Sequence, residues 1–163
     1  MEAVCGDVQR IWYSRLFSLA PRLERRLRDI LPGLINHYTA SLDANGPWYI
    51  AGDWDVKFKG NSGKADVAIA LSMVRSLNEA ARQPHTHHIG LENGVVTEIP
   101  GGLRITGIPD ATTNGNTGFA GSTVQVDITG GNSVPYSNIT VTFTGPAAGH
   151  FGTAPLQGVV TTE

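Results

Sequence analysis

The chain has 163 residues, which is enough for one domain with a well-buried core. Its net charge of −2 and its 16 % of charged residues give no general attraction to nucleic acid or anionic membranes, and no apolar run approaches the roughly 20 residues that span a bilayer. The single cysteine, Cys5, excludes an internal disulfide and a metal site built from cysteines. No standard signal peptide is evident, and the sequence does not fix the compartment or the oligomeric state.

Residues 1–46 predict a helical extension. Leucine and isoleucine recur at three- and four-residue spacing, and Pro21 divides the run, so we expect helices over 7–19 and 21–31 that end at Pro32-Gly33. Residues 36–46 are expected to connect this extension to the next domain. Residues 1–30 hold six arginines against four acidic residues, which makes the extension basic. The sequence leaves open a helix packed on a sheet, a partner-docking helix, a membrane-surface or transit-type helix, and a poorly ordered extension.

Residues 47–163 predict an antiparallel β domain. Apolar residues alternate with polar ones, and Gly-rich turns separate the runs, which is typical of a β-meander. We therefore expect a mainly β fold, either an antiparallel barrel or a barrel-like sandwich, with the helical extension outside it or across one end. Residues 108–121 are rich in turn residues and predict a long flexible loop. The expected strands cover 48–50, 54–58, 65–74, 85–92, 95–99, 103–107, 122–129, 137–144 and 156–161.

A histidine-rich strand is the most informative stretch for function. Asn93-Gly94 suits a two-residue hairpin turn, so we expect 85–92 to pair with 95–99. Side chains alternate faces along a strand, which places His85 and His87 on the face that also carries Ile89 and Leu91. Two neighbouring imidazoles on an inward face suit a divalent transition metal such as zinc.

Two histidines need at least one further ligand to hold zinc. The candidates are His150, Glu92 and, less well placed in sequence, His37. The spacing of His85, His87 and Glu92 resembles the first metal-binding motif of the cupin family, and this resemblance implies that the three residues would share a metal. Alternation along the strand instead places Glu92 on the opposite face from the two histidines. We therefore predict His85, His87 and His150 as the metal ligands.

The first hypothesis for the function is a non-catalytic binding module, and the alternative is a metal-binding protein, with or without enzyme activity, that uses the three histidines. The sequence contains no nucleophile-elbow, zincin or phosphate-loop motif, so no catalytic residue can be assigned. Trp48, Trp54, His88 and Glu92 are the candidate contacts for a small molecule, a glycan or a protein ligand. In this reading the histidines are hydrogen-bonded groups of the sheet. A third hypothesis is a structural or assembly protein that docks a partner through its basic N-terminal segment.

Overall fold

A computed structural model describes residues 30–39, 47–75, 83–130 and 138–161 of the chain. Within these ranges ten strands form one antiparallel sheet. One 3-10 turn at Gly60–Ser62 joins β2 to β3, and one α-helix, α1 (Pro146–Phe151), lies between β9 and β10. The strands are β1 (Ile30–Thr39), β2 (Trp48–Phe58), β3 (Lys64–Arg75), β4 (His85–Ile99), β5 (Gly102–Gly107), β6 (Asp110–Thr113), β7 (Asn116–Gly118), β8 (Val124–Thr129), β9 (Asn138–Phe143) and β10 (Leu156–Val160).

The sheet closes into a barrel of eight strands. The order runs β3-β2-β1-β10-β9-β8-β5-β4, and the last of these strands, β4, pairs with the first, β3, to close the ring. Apart from the insertion of β6 and β7 between β5 and β8, and the pairing of the first strand β1 with the last strand β10, neighbours in the barrel are neighbours in the chain. The predicted meander is therefore confirmed as a closed barrel, in which no barrel strand leaves a long open edge.

The inward face of each strand supplies the core. Val67, Ile69, Leu71 and Met73 of β3 are all buried, as their alternation predicts. On β2 the same rule buries Trp48, Ile50, Trp54, Val56 and Phe58. The intervening side chains on β3 are mostly small and lie on the outer surface. An eight-stranded barrel is just wide enough for side chains to fill it, and the buried apolar residues of this barrel form one core cluster.

The barrel begins at β1, before the boundary expected at residue 47. The prediction that a helix extends to residue 31 and that a connector follows is wrong for the described part, because β1 pairs with β2 over ten residues and with β10. Pro32-Gly33 does not end a helix, because β1 runs through both residues. Gly33 lies inside the strand, opposite Trp54, where the missing side chain makes room for the indole ring. The expected helix over 7–19 and most of the one over 21–31 lie outside the described residues.

The predicted hairpin turn at Asn93-Gly94 is also wrong. β4 runs without a break from His85 to Ile99, and Asn93, with a φ of 56°, forms a bulge in it. Ala65 pairs with Gly94 and Val67 with Leu91, so β4 has one more residue than β3 at this point. The Asp66 carboxylate accepts a hydrogen bond from the Asn93 N–H at 2.8 Å. The bulge shifts the alternation, and Gly94 faces the core where an unbroken strand would have turned it outward.

A hairpin replaces the long loop expected over 108–121. β6 and β7 pair around Asn114-Gly115, whose φ values of 48° and 82° are those of a tight two-residue turn. β6 also pairs with β4, so the hairpin extends the barrel wall beside the histidines. None of the described helices is long and apolar enough to cross a membrane.

The contact between Gly33 and Trp54 gives a test of the barrel register. In the Gly33→Ala variant, the added methyl group would meet the Trp54 ring and the Val159 carbonyl. We expect a loss of about 1–3 kcal/mol in the free energy of unfolding, because the rigid ring and backbone cannot move aside at no cost. Urea unfolding measures the change.

Gly118→Ala is the matched control, since its methyl group would meet no atom within 4 Å. We expect the control to change stability by less than about 0.5 kcal/mol. Equal stability of the two variants would contradict the placement of β1 in the barrel.

Candidate metal centre

Three histidines meet at one end of the barrel. His85 and His87 stand on the first residues of β4, with inward-facing side chains, and His150 comes from the last turn of α1. More than 60 residues separate His150 from the other two in sequence. The three rings meet because closure of the barrel brings the start of β4 close to the end of β9, from which α1 continues.

The short helix α1 is held in place by its own buried residues. Ser122, which is buried, accepts a hydrogen bond at 2.9 Å from the Ala147 N–H in the first turn of α1. At the other end, Phe151 is buried and stacks on Phe143 with ring centroids 4.6 Å apart. These contacts fix the direction of His150, the residue just before Phe151.

The imidazole nitrogens of the three rings converge. Nε2 of His150 lies 3.0 Å from Nε2 of His87 and 3.3 Å from Nε2 of His85. All three ligand atoms lie within 4.8 Å of one another. Nitrogens bound to tetrahedral zinc at about 2.0–2.1 Å are roughly 3.3–3.4 Å apart. Two sides of the triangle are thus close to the separation that a shared ion imposes.

Backbone carbonyls orient two of the rings. Nδ1 of His85 lies 2.9 Å from the Gln83 oxygen, and Nδ1 of His87 lies 3.2 Å from the Thr112 oxygen. Because a carbonyl oxygen can only accept, each Nδ1 carries the proton, and in a neutral ring the lone pair then lies on Nε2. Metal-binding histidines in proteins are commonly held by this kind of outer hydrogen bond.

Hydrogen bonds within the trio therefore leave the Nε2 lone pair of one ring without a donor. A neutral His150 has at most one proton to donate through Nε2, whereas His85 and His87 both direct a lone pair at that nitrogen. A cation placed between the rings would instead accept a lone pair from each of them. The arrangement is chemically better suited to a metal ion than to a closed network of hydrogen bonds.

Burial keeps two of the rings neutral. His87 has no exposed surface, and desolvation, followed by the neighbouring histidines, lowers its pKa to about 4. Desolvation and His85 also lower the pKa of His150. Neutral imidazole is the form that binds a metal, so protons compete weakly for these two rings at neutral pH.

Aromatic rings surround the three histidines. Trp48 and His85 are nearly perpendicular, with ring centroids 5.1 Å apart, and Phe151 meets His87 at 4.8 Å. Phe119, which follows β7, contacts both His87 and His150. His85 and His150 remain half-buried, which leaves a route from solvent to the trio.

The structure does not bring the other sequence candidates to this place. Glu92 is exposed on the outward face of β4, as alternation indicates, so the cupin-like set of His85, His87 and Glu92 does not form. His37 lies on β1, and burial lowers its pKa, but it is not part of the histidine trio.

The four candidate ligand contacts do not form one surface. Trp48 and Trp54 are buried inside the barrel, while His88 and Glu92 lie outside it. Only Trp48 touches the trio. His88 instead lines an open groove of about 610 Å³ on the outer surface, between β1 and β4.

Sequence reasoning missed the residues that support the trio. Thr112, Thr113 and Phe119 lie in the stretch read as a flexible loop, yet the Thr113 hydroxyl is 3.1 Å from Nδ1 of His87. The pair Asn114-Gly115 was the available signal, because it marks a tight hairpin.

Comparison of the chain with protein-family models, curated proteins and solved structures finds no match.

The low pKa of His87 predicts how stability depends on pH. In metal-free protein the unfolded chain takes up a proton near pH 6.5, whereas folded His87 does so only near pH 4. Between these values the unfolded state binds more protons, so the free energy of unfolding falls as the pH is lowered. We expect His87 to account for a loss of up to about 2 kcal/mol between pH 7 and pH 5.

Urea unfolding in EDTA at pH 7 and pH 5 measures this loss, and the range avoids most carboxylate titration. His87→Gln should show a smaller pH dependence, while His88→Gln, on the outward face of the same strand, should behave like the parent chain. An unchanged pH dependence in His87→Gln would show that His87 titrates normally.

Proposed function

We propose that this protein binds a divalent transition metal such as zinc through Nε2 of His85, His87 and His150. The convergence of the three Nε2 atoms at separations of 3.0 and 3.3 Å from His150 is the observation that supports the proposal. Imidazole suits zinc, copper, nickel and iron, and zinc is the first ion to test, because it accepts a tetrahedral geometry without an electronic preference.

Three histidines would leave a coordination position open. Structural zinc sites use four protein ligands, whereas sites that exchange a ligand use three and leave one position to water or substrate. Imidazole ligands add no negative charge, so a bound divalent ion would keep its full charge and attract an anionic ligand. The proposal therefore combines the metal with the binding-module hypothesis, and the ligand would enter at the half-buried side of His85 and His150.

Zinc should stabilise the folded chain. Ligand at 100 times its dissociation constant adds about 2.7 kcal/mol to the free energy of unfolding, which for a domain of this size raises Tm by roughly 5–10 °C. We expect the tag-free protein to bind one zinc ion per chain and to show this rise. Calorimetric titration and thermal unfolding with and without EDTA measure the two effects.

A histidine variant on α1 and another on β4 distinguish the loss of the metal site from a general effect of losing a histidine. His150→Ala removes a half-buried ligand without disturbing the sheet, and we expect it to weaken zinc binding at least tenfold and to abolish the rise in Tm. His88→Ala is the matched control, because His88 is exposed on the outer face of β4. A chain that takes up no zinc, or equal losses in both variants, would refute the proposal.

A further inference from the structure

Arg75 lies at the same end of the barrel as the three histidines. It is the last residue of β3, on the inward row that includes Leu71 and Met73, and it pairs with Trp48 across the strands. Residues directly opposite in an antiparallel pair point to the same face. The guanidinium carbon of Arg75 accordingly lies over the Trp48 ring, 5.7 Å from its centroid.

This guanidinium has an unmet donor. Nε of Arg75 is shielded from solvent and has no hydrogen-bond partner, and no carboxylate of the described residues forms an ion pair with the side chain. By contrast, Arg104 on β5 forms two hydrogen bonds with Asp127, at 2.7 and 2.8 Å. Buried donors in folded proteins are nearly always paired, so this one, at the same end of the barrel as the trio, is a candidate contact for a ligand; Nε1 of Trp54 is the other such donor among the described residues.

Trp48 links the guanidinium to the histidine trio. The same indole ring that lies under Arg75 meets the His85 ring at 5.1 Å. The distance from the guanidinium carbon to the His85 ring is therefore at most the sum of the 5.7 Å from Arg75 to Trp48 and the 5.1 Å from Trp48 to His85. A molecule with a few carbon atoms can reach from the trio to Arg75.

We infer that Arg75 binds the carboxylate of a small organic acid whose second oxygen donor occupies the open position of the metal held by His85, His87 and His150. The inference rests on the proposed metal site and adds the class of ligand to it. Arginine presents two parallel N–H groups that match a carboxylate, and a divalent ion on neutral histidines attracts the second anionic oxygen. A single guanidinium beside an aromatic ring fits a carboxylate better than a phosphate, which carries more charge and more acceptor oxygens.

Cobalt-loaded protein gives a direct test, because the visible spectrum of cobalt changes when a ligand enters its coordination shell. We expect malonate, succinate or glutarate to bind at least tenfold more tightly than acetate, which has one carboxylate and cannot reach both groups. Arg75→Gln should remove that advantage and leave the cobalt affinity unchanged. Arg75→Lys should restore part of it, since the charge remains and the fork of N–H groups is lost.

Lys57→Gln is the control for charge, because Lys57 is exposed on the outer face of β2. Thermal unfolding checks that each variant is folded. If cobalt binds but dicarboxylates bind no better than acetate, or if Arg75→Gln matches Lys57→Gln, the role of Arg75 is wrong while the metal site stands. Phosphate binding as tight as the best dicarboxylate would contradict the ligand class. Failure to take up cobalt would overturn both the metal site and this inference.

Discussion

The pairing of β3 with β4 is the interaction on which the rest of the structure depends. It closes the barrel, and it also holds the first residues of β4 in the row that carries Met73 and Leu71. On its other edge β4 pairs with β6 near the histidines and with β5 beyond the bulge. A strand fixed on both edges cannot slip, since a shift of one residue would turn His85 and His87 to the outer surface. The position of the trio is thus a consequence of how the sheet closes.

The second constraint is the cost of burying polar rings without a full set of partners. His87 is buried and neutral, its Nδ1 is held by the Thr112 carbonyl, and its Nε2 lies 3.0 Å from Nε2 of His150. Arg75 has a shielded donor with no acceptor at the same end of the barrel. Both features cost stability in the isolated chain, because buried polar groups without partners lose the hydrogen bonds that water gave them. A cation among the histidines and an anion at Arg75 would satisfy both.

Much of the barrel could be predicted from alternation alone. The strands around Val67–Met73, Val124–Thr129 and Asn138–Phe143 were expected with nearly the right bounds, because one face of each is apolar and the other polar. β1 was missed, since its leucine and isoleucine residues lie on both faces of the strand and match helical spacing, while its inward row includes Gly33, which makes room for Trp54. The two Asn-Gly pairs show the limit of local rules. Asn114-Gly115 forms a tight turn, but Asn93-Gly94 forms a bulge, because β3 pairs with β4 on both sides of it, up to Leu91 and again at Gly94 and Val95.

The site was predictable only in part for the same reason. Alternation along one strand was sufficient to place His85 and His87 side by side and to separate them from Glu92. His150 was a candidate from its residue type, whereas its distance from the other two depends on barrel closure and on the packing of Phe151 against Phe143. No sequence pattern marked Arg75 as a binding residue, because its proposed role depends on its position over Trp48 in the folded chain. Contacts between distant segments, rather than motifs, define this end of the barrel.

X-ray absorption spectroscopy of tag-free protein loaded with one equivalent of zinc tests the central claim most directly. The account predicts a first shell with three imidazole nitrogens at about 2.0–2.1 Å and one further oxygen, with the multiple scattering typical of histidine rings. A shell with fewer than three imidazoles, or one dominated by carboxylate oxygens, would contradict it.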